Sequence, residues 1–325
     1  MDENNPLVVF AAKTSSVRQI LSLLKCIGFI PKAQVQISSE GVRVTVEDSR
    51  VMQAHAFLDK NLFSEYSFNS PKRNPLLNLA GHDAEDIEVD DEEDLDSTIS
   101  FGISLSALLE CLQIFGADSS FRERERWGQG GFSTMEHGGI PENQLAKPTG
   151  TCDFIYRGEG HTLDLILEEH EVSTSCQLTT YEFEPQGEIP LARDSLAQKI
   201  IMKADWLYDA IQELDGSSPD RLTMAVSPRH PFFSLSSAGP MGSTSVEFSN
   251  DRSLLETFQV PVAVQNTYKF GLIKHAARAM AIATKVSIRG DNLGVLSLQF
   301  MIDHDGKTSF VDFRYMPFEN EDSDD

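Results

Sequence analysis

The order of helix and strand patterns along this chain of 325 residues occurs twice. In each half an amphipathic helical pattern is followed by short alternating strands, and a second helix with further strands completes the half. The four helical patterns cover residues 15–28, 103–116, 203–216 and 268–281. Helices combined with antiparallel strands in this way predict an α+β fold of two similar units. This layout favours a pseudo-symmetric assembly over a single catalytic pocket.

Two prolines mark the boundary between the predicted units. Pro185 and Pro190 lie in a stretch that has neither helical nor strand periodicity, which predicts a connecting loop. The predicted plan is an N-terminal domain (1–184) with inserted loops at about 71–97 and 117–150, a connecting loop (185–198), a C-terminal domain (199–318) and an acidic tail (319–325).

The formal net charge of −23 is concentrated in two short segments. Residues 83–96 hold ten acidic side chains, residues 319–325 hold five more, and neither segment holds a base. Without these fifteen acids the charge is only −8, so the acidity does not exclude a local surface that binds nucleic acid. The chain has no apolar run long enough to span a membrane, and its N-terminus lacks a signal-peptide pattern. The four cysteines lack metal-site spacing, which indicates free thiols in a reducing compartment.

The sequence contains no motif for catalysis, a cofactor or a metal. The signatures GxxxxGK[ST], GxSxG and HExxH are absent. Gly128, Gly130 and Gly131 resemble a phosphate-binding loop, but no helical pattern opens after them. His161 and His170 flank a strand beside several glutamates, a pattern more typical of a solvated strand end than of a metal site. We therefore expect a protein that is not an enzyme and needs no cofactor.

Basic residues on two of the four helices indicate a different kind of site. Arg18 and Lys25 share one face of the first helix, and Lys274 and Arg278 share one face of the fourth. Lys13 lies at the margin of the first helix. Cations grouped on helix faces suit contact with a phosphate backbone without reading of bases. The second and third helices carry acids, so we expect any DNA-facing surface to be only patchily positive.

Five stretches spread along the chain together resemble a known family. They cover residues 40–56, 105–116, 163–169, 285–302 and 310–322. Their order and spacing resemble the sliding-clamp fold of proliferating-cell nuclear antigen and, more closely, the Rad-one subunits of the nine-one-one DNA-damage checkpoint clamp. The resemblance covers nearly the whole chain apart from the inserted loops and the tail.

The resemblance implies a two-domain clamp fold in which sheets form the outer layer and four helices line a channel around double-stranded DNA. The subunit would join Rad-nine-type and Hus-one-type subunits by pairing of edge strands. A damage-specific clamp loader would place the ring on DNA in the nucleus, independently of DNA sequence. The ring would then recruit checkpoint and repair proteins, and no membrane partner is expected.

Carried over by position, the resemblance assigns two sets of site residues. The DNA-binding set, facing the channel, would be Lys13, Arg18, Lys25, Lys274 and Arg278. The partner groove beside the connecting loop would be built from Val46, Arg50, Val51, Phe313, Arg314, Tyr315, Met316 and Pro317. Arg50 and Arg314 make this groove more polar than that of the replicative clamp, which leaves open whether it binds the usual clamp-interacting peptides.

Two other functions stay open on the sequence alone. A homotrimeric replication processivity clamp would have the same fold but would assemble without other subunits. A metal-dependent DNA exonuclease would use carboxylates of the acidic segments, although these lack the spacing of a fixed metal site. Acids in the inserted loops would repel DNA from inside a channel, so a clamp requires both loops to project outward.

Overall fold

The structure is a computed structural model that describes residues 8–69, 98–116, 150–169, 171–183, 187–304 and 306–318. The acidic tail and the inserted loops, apart from Gly150, lie outside these residues, so the outward projection of the loops stays a prediction. Among the described residues, no helix has the length and apolar character needed to cross a membrane.

The helices follow the apolar stripes of the sequence. They are α1 (Val17–Cys26), α2 (Leu105–Gly116), α3 (Ala204–Asp215) and a fourth helical segment made of α4 (Phe270–Ile273), a 3₁₀ turn (Lys274–Ala276) and α5 (Ala277–Ile282). In α1, Ile20, Leu23 and Leu24 are buried at helical spacing and fix the face that packs inward. The first three predicted helices are confirmed to within two residues at each end.

The fourth predicted helix is not continuous, because its middle turn is tightened where it meets the N-terminal half. The Ala277 amide bonds to the Lys274 carbonyl, which is the i to i+3 spacing of a 3₁₀ helix. In this turn the His275 ring stacks on Phe29 with centroids 4.3 Å apart, and its Nε2 lies 3.6 Å from Asp48 Oδ2. Apolar spacing predicted one helix because it carries no information on contacts with residues so distant in the chain.

Eighteen strands form three sheets within the described residues, and all strand pairs are antiparallel. The strands are β1 (Phe10–Thr14), β2 (Lys32–Ile37), β3 (Gly41–Asp48), β4 (Met52–Asp59), β5 (Glu65–Phe68), β6 (Ile99–Ser104), β7 (Thr151–Tyr156), β8 (Leu163–Glu169), β9 (Val172–Leu178), β10 (Leu196–Lys203), β11 (Arg221–Val226), β12 (Phe233–Gly239), β13 (Gly242–Phe248), β14 (Leu255–Gln259), β15 (Val264–Lys269), β16 (Lys285–Asp291), β17 (Leu296–His304) and β18 (Lys307–Tyr315). The N-terminal half has a five-stranded sheet (β5-β1-β7-β8-β9), and the C-terminal half has a four-stranded sheet (β13-β12-β11-β15). Strands from both halves together form a nine-stranded sheet (β14-β10-β16-β17-β18-β4-β3-β2-β6). The predicted α+β class is confirmed.

One strand pairing joins the two halves into the nine-stranded sheet. β18 runs antiparallel to β4, with Phe310 opposite Phe57 and Tyr315 opposite Met52. We call this β4–β18 pairing the seam. Phe313 is fully buried at the seam, where its ring lies 5.7 Å from that of Phe300 and stacks against neighbouring aromatic rings. The core is therefore continuous from one half to the other.

The helices pack against the nine-stranded sheet in an order that differs from their order in the chain. α1 contacts β4 and β18 at the seam, α5 contacts β17, and α3 contacts β10 and β16. Contacts between helices run from α2 to α1, from α1 to α5 and from α5 to α3. We call this order, α2–α1–fourth segment–α3, the helix row. It makes the first and fourth helical segments neighbours.

Part of the predicted connecting loop is strand. Residues 187–192 are irregular, Arg193–Ser195 forms a 3₁₀ turn, and β10 already begins at Leu196. Gln198 lies opposite Gly290 of β16 and is buried, which the polar character of this stretch did not suggest. The predicted domain boundaries stay a prediction.

We predict that Phe313→Ala lowers the free energy of unfolding by about 3–5 kcal/mol, because truncating a fully buried aromatic side chain leaves a cavity. Urea denaturation would measure the change. Phe310→Ala on the same strand is the matched control and should cost much less, because Phe310 is 44% exposed. Equal losses in the two variants would contradict the burial of Phe313 at the seam.

Candidate nucleic-acid interface and partner groove

Four of the five predicted DNA-binding residues lie on the two middle members of the helix row. Arg18 and Lys25 are partly exposed on α1 together with Ser22, whereas every other side chain of α1 is buried. Lys274 and Arg278 are exposed on the fourth segment. A spacing of seven residues keeps Arg18 and Lys25 on one face of α1, and Lys274 and Arg278 lie about one turn apart in the fourth segment. Because α1 contacts α5, the two segments that carry these cations are neighbours in the middle of the row.

The pKa of a cysteine at the end of α1 responds to a charge on the fourth helical segment, which shows that the two basic segments are close. Burial raises the pKa of the Cys26 thiol to about 12, and the positive charge of Arg278 opposes this shift. The Arg278 guanidinium is therefore within electrostatic reach of the last turn of α1. Lys274 is partly neutralised, because its Nζ lies 3.0 Å and 2.8 Å from the two carboxylate oxygens of Asp215.

The α3 end of the helix row is acidic. α3 exposes Asp205, Asp209 and Glu213, and α2 at the opposite end exposes Glu110. Neither α2 nor α3 contains a lysine or an arginine. The surface of the row is thus positive in the middle and negative toward α3.

Lys13 lies apart from the other four predicted DNA-binding residues. It belongs to β1, on the face opposite to the buried Phe10 and Thr14, and it stands directly across from Asp153 in the sheet. Its Nζ lies 3.2 Å from Asp153 Oδ1 and 3.9 Å from Glu168 Oε2, and the hydrogen bond to Asp153 raises the pKa of Lys13. Two carboxylates compensate its charge, and the structure does not bring it to the helix row.

Half of the predicted groove residues lie away from the surface. Val46, Phe313 and Tyr315 point into the core, because alternate residues of a strand face opposite sides of the sheet. Arg314 points to the other side but is buried there beneath residues 187–192, which we call the connecting segment. Arg50, in contrast, is exposed at the turn between β3 and β4.

Three exposed apolar side chains and the half-buried Pro317 form a strip at the end of the seam. Val51, Met316 and Pro317 belong to the predicted groove, whereas Leu293 was not among the predicted residues. The Met316 amide donates a hydrogen bond of 2.8 Å to the Val51 carbonyl. Pro317 packs against Gly294, where an added Cβ would lie 3.0 Å from Pro317 Cγ. Leu293, which precedes Gly294, is 77% exposed. We call Val51, Leu293, Met316 and Pro317 the apolar strip.

Leu293 is presented by an ordered turn between β16 and β17. Asp291 Oδ1 accepts hydrogen bonds from the amides of Leu293 (2.9 Å) and Val295 (3.0 Å). The Tyr268 hydroxyl donates to the carbonyl of Gly294, whose φ of 82° is in the left-handed region that favours glycine. The sequence signal that could have identified Leu293 was an apolar residue in the otherwise polar turn Asp-Asn-Leu-Gly. A single exposed leucine is common, however, and only its neighbours in space make it part of a strip.

The connecting segment is fixed to the seam by side chains from both halves, on the face opposite the helix row. Gln53 of β4 donates to the Gly187 carbonyl (2.9 Å) and accepts from the Ile189 amide (2.8 Å). Arg314 of β18 donates to the Ile189 carbonyl (2.7 Å) and lies 3.0 Å from a carboxylate oxygen of Glu188. Gln53 and Arg314 stand opposite each other in the seam. The segment therefore bridges the two halves.

The carboxylate of Asp312 balances the arginines of this network. It accepts hydrogen bonds from Ser297 Oγ (2.6 Å), Arg314 Nε (3.2 Å) and Arg289 Nη2 (3.5 Å). Burial lowers the pKa of Arg289, and the charge of Asp312 opposes that shift. Two guanidinium groups on one carboxylate leave an excess of positive charge, which Glu188 of the connecting segment offsets.

The sequence also matches a family model over most of its length. The model, described as repair protein Rad1/Rec1/Rad17, covers residues 9–302. The chain belongs to this Rad1 family.

Relatives in the Rad1 family align with nearly the whole chain. The DNA damage checkpoint control protein rad1 of Schizosaccharomyces pombe is 33% identical over 313 residues, covering 96% of this chain and 87% of the relative. The cell cycle checkpoint protein RAD1 of Mus musculus is 32% identical over 309 residues, covering 95% of this chain and 92% of the relative. A more distant relative, the DNA repair exonuclease REC1 of Mycosarcoma maydis, is 23% identical. The alignment covers 91% of this chain and 88% of the relative.

A solved structure confirms the clamp fold of this Rad1-family chain. PCNA from Thermococcus kodakaraensis aligns with a TM-score of 0.64 at 18% identity, covering 95% of this chain and 99% of that chain. Similarity at this level of identity concerns the fold alone. The predicted PCNA-like fold and the resemblance to Rad-one proteins are both confirmed.

The described part of the chain holds no group of three or more His, Cys, Asp or Glu side chains placed to bind a metal ion. His170 and the acidic segments 83–96 and 319–325 lie outside the described residues. All four cysteines are free thiols.

His55 is a buried histidine on the same face of the seam as the connecting segment. Its Nδ1 lies 3.0 Å from Thr45 Oγ1, and its Nε2 has no hydrogen-bond partner among the described residues. Burial, followed by the positive charges of Arg314 and Arg43, lowers the pKa of His55 to about 3. The imidazole is therefore neutral at physiological pH.

We predict that His55→Gln makes stability less dependent on pH. The unfolded chain protonates His55 below its ordinary pKa of 6.5, whereas the folded chain does so only near 3. The free energy of unfolding therefore falls as the pH decreases from 6.5 toward 3, by at most about 1.4 kcal/mol per pH unit from this group. Urea denaturation at stepped pH measures the slope. His161→Gln, at an exposed position, is the control, and an unchanged slope in His55→Gln would contradict burial of a neutral imidazole.

Proposed function

We propose that this chain is a non-catalytic subunit of a heterotrimeric checkpoint clamp, which encircles double-stranded DNA and serves as a platform for checkpoint and repair proteins. The observation that carries the proposal is the helix row, whose two neighbouring middle members carry four cations in a PCNA-like fold. Relatives named as checkpoint proteins support the checkpoint role.

Contact with phosphates independent of sequence fits the chemistry of the helix row. Arg18, Lys25, Lys274 and Arg278 supply positive charge, which neutralises phosphates and does not by itself specify bases. The acids of α3 and the net charge of −23 oppose tight binding by a single chain. Retention on DNA would therefore depend on closure of a ring more than on the strength of each contact.

We predict that Lys25→Glu combined with Arg278→Glu weakens the association of the assembled ring with circular duplex DNA. Each lost phosphate contact should also reduce the slope of log K against log salt concentration by about 1. Retention of the ring on DNA, measured at several salt concentrations, provides both quantities. Arg229→Glu combined with Arg252→Glu changes the net charge equally at exposed positions outside the helix row, and it should leave retention nearly intact. Equal losses in the two variants would count against the helix row as the DNA-facing surface.

The same DNA samples separate the clamp from the exonuclease that the name of a distant relative suggests. With Mg²⁺ present, a clamp subunit should leave linear and circular duplexes intact. Degradation that disappears when the acidic residues among 90–94 are neutralised would instead support a metal-dependent exonuclease.

Two open strand edges suit the joining of subunits. β9 and β13 are outermost in their sheets, are seven residues long, and contain neither proline nor lysine. Proteins usually protect such edges with charges, proline, a bulge or a covering segment. Outermost β6, for example, is covered by Tyr181, which exchanges backbone hydrogen bonds with Gly102. Within the described residues, each flank thus offers an unprotected backbone edge to a neighbouring subunit.

We predict that the chain forms a one-to-one-to-one complex when it is co-expressed with Rad-nine-type and Hus-one-type subunits, because its open edges need complementary partners. Light scattering coupled to size exclusion would give the stoichiometry, and the chain alone should be monomeric. A stable trimer of the chain alone would favour the replication clamp, and failure to bind either partner would overturn the heterotrimer. In the proposed assembly a damage-specific loader places the ring on nuclear DNA.

Partner proteins would use the apolar strip at the end of the seam. Val51, Leu293 and Met316 are exposed together beside Arg50, so the strip fits an apolar side chain followed by an acidic one. The buried Arg314 is committed to the connecting segment and would not take part.

A further inference from the structure

Two cysteines from distant parts of the chain, Cys111 of α2 and Cys176 of β9, are half-buried where that helix covers the five-stranded sheet. α2 packs against β8 and β9, and Leu108 of α2 and Leu163 of β8 line one internal cavity. Cys111 lies one turn beyond Leu108 on the same side of the helix. Cys176 stands opposite the fully buried Leu165 of β8, so it faces the same core. Both cysteines pack against the core between helix and sheet.

The thiols of Cys111 and Cys176 interact directly. Burial, followed by a hydrogen bond with the Cys176 side chain, raises the pKa of the Cys111 thiol to about 11. The charge of a Cys176 thiolate would oppose ionisation of Cys111 as well. The two sulfur atoms are therefore neighbours across the contact between α2 and β9, which is the arrangement that a disulfide requires.

The other two cysteines do not fit a bridge of this kind. Cys152 lies on β7, and β8 separates it from Cys176. Because neighbouring strands are about 4.8 Å apart, the Cα atoms of these two residues are at least about 9.5 Å apart, whereas a disulfide spans at most about 7 Å. Cys152 and Cys26 are also fully buried, whereas Cys111 and Cys176 are partly exposed and can be reached by an oxidant.

We propose that Cys111 and Cys176 are a redox-sensitive dithiol, which a low-molecular-weight disulfide such as oxidised glutathione converts into an intramolecular disulfide between α2 and β9. The bridge would fix the outermost strand of the five-stranded sheet to the helix that covers it. It would also enclose residues 112–175, with the inserted loop at about 117–150, in one covalent loop. This modification site goes beyond the proposed function and does not depend on it.

The disulfide would form in two exchange steps. The Cys176 thiolate attacks one sulfur of oxidised glutathione, which forms a mixed disulfide and releases one glutathione thiolate. The Cys111 thiolate then attacks Cys176 Sγ and releases the second glutathione. The two protein thiols lose two protons and two electrons, and the oxidant takes up both to give two glutathione thiols. Cys111 acts second, because its raised pKa leaves little thiolate at neutral pH until an electrophilic sulfur lies directly beside it.

The test incubates the full-length chain with mixtures of reduced and oxidised glutathione and then blocks the remaining thiols with iodoacetamide under denaturing conditions. Peptide mass spectrometry without reduction should find Cys111 linked to Cys176, and Cys26 and Cys152 alkylated. The oxidised chain should also have a higher midpoint of urea denaturation than the reduced chain, because a bridge between distant residues restricts the unfolded chain.

Two serine variants should both lose the bridge but give different products. Cys111→Ser should stop at the mixed disulfide with glutathione on Cys176, whereas Cys176→Ser should leave Cys111 unmodified. Cys26→Ala is the matched control, since it removes a buried cysteine of α1 outside the pair, and it should form the bridge as the wild type does.

A second probe reports the proximity of the two thiols without oxidation. The arsenic atom of phenylarsine oxide bonds two adjacent thiols at once, so native mass spectrometry should show an adduct with the wild type and with Cys26→Ala. Neither serine variant should retain the adduct.

Four free thiols at the most oxidising ratio, or bridges only between separate chains, would overturn the inference. A bridge between any other pair of cysteines would do the same. A mixed disulfide on Cys111 in the Cys176→Ser variant would contradict the order of attack. Arsenical binding that survives in both serine variants would contradict the contact between Cys111 and Cys176.

Discussion

The antiparallel pairing of β4 with β18 is the contact on which the rest of this structure depends. It converts two half-sheets into one nine-stranded sheet, with Phe57 to Met52 opposite Phe310 to Tyr315. Because α1 packs on the two strands of the seam and α5 packs on β17 beside it, the pairing also makes the first and fourth helical segments neighbours. The pairing thus places side by side the helices that carry the basic residues of two distant sequence segments.

The seam has a different chemistry on each face of the sheet. On the helix side it buries Phe313 and Tyr315, whose transfer from water stabilises the joined halves. On the other side it buries Arg314, a charge whose desolvation would be costly if it were unpaired. Asp312, Glu188 and the Ile189 carbonyl satisfy that guanidinium. The connecting segment is thus part of the seam, since it supplies both an acceptor and a compensating charge.

Sequence patterns predicted what is local and missed what depends on pairing between distant strands. The buried stripes of α1, α2 and α3 are visible as apolar spacing, so these helices could be placed closely. The stretch from Phe310 to Tyr315 has apolar residues at both odd and even positions, so its alternation could not show that Phe313 faces inward and Phe310 outward. Lys13 could not be recognised as paired, because Asp153 stands opposite it only once β1 and β7 are aligned. The order of the helix row and the neighbours of Leu293 could not be predicted for the same reason, because both depend on which distant strands pair and in which register.

The two halves repeat closely in their edge strands. β9 and β13 have the same pattern of exposed and half-buried positions with one buried residue at the end, and each contains Ser-Thr-Ser at the same place, 173–175 and 243–245. The helices that pack beside them share a buried stripe but differ outside it: α3 exposes Trp206, Asp205, Asp209 and Glu213, whereas α2 exposes Ile114 and Glu110. A packed core tolerates little change in volume, whereas exposed positions are nearly free of that constraint. The duplicated fold therefore fixes a scaffold with two equivalent edges, and the charges on its exposed helix faces make the edges unequal and leave the middle of the row as its positive surface.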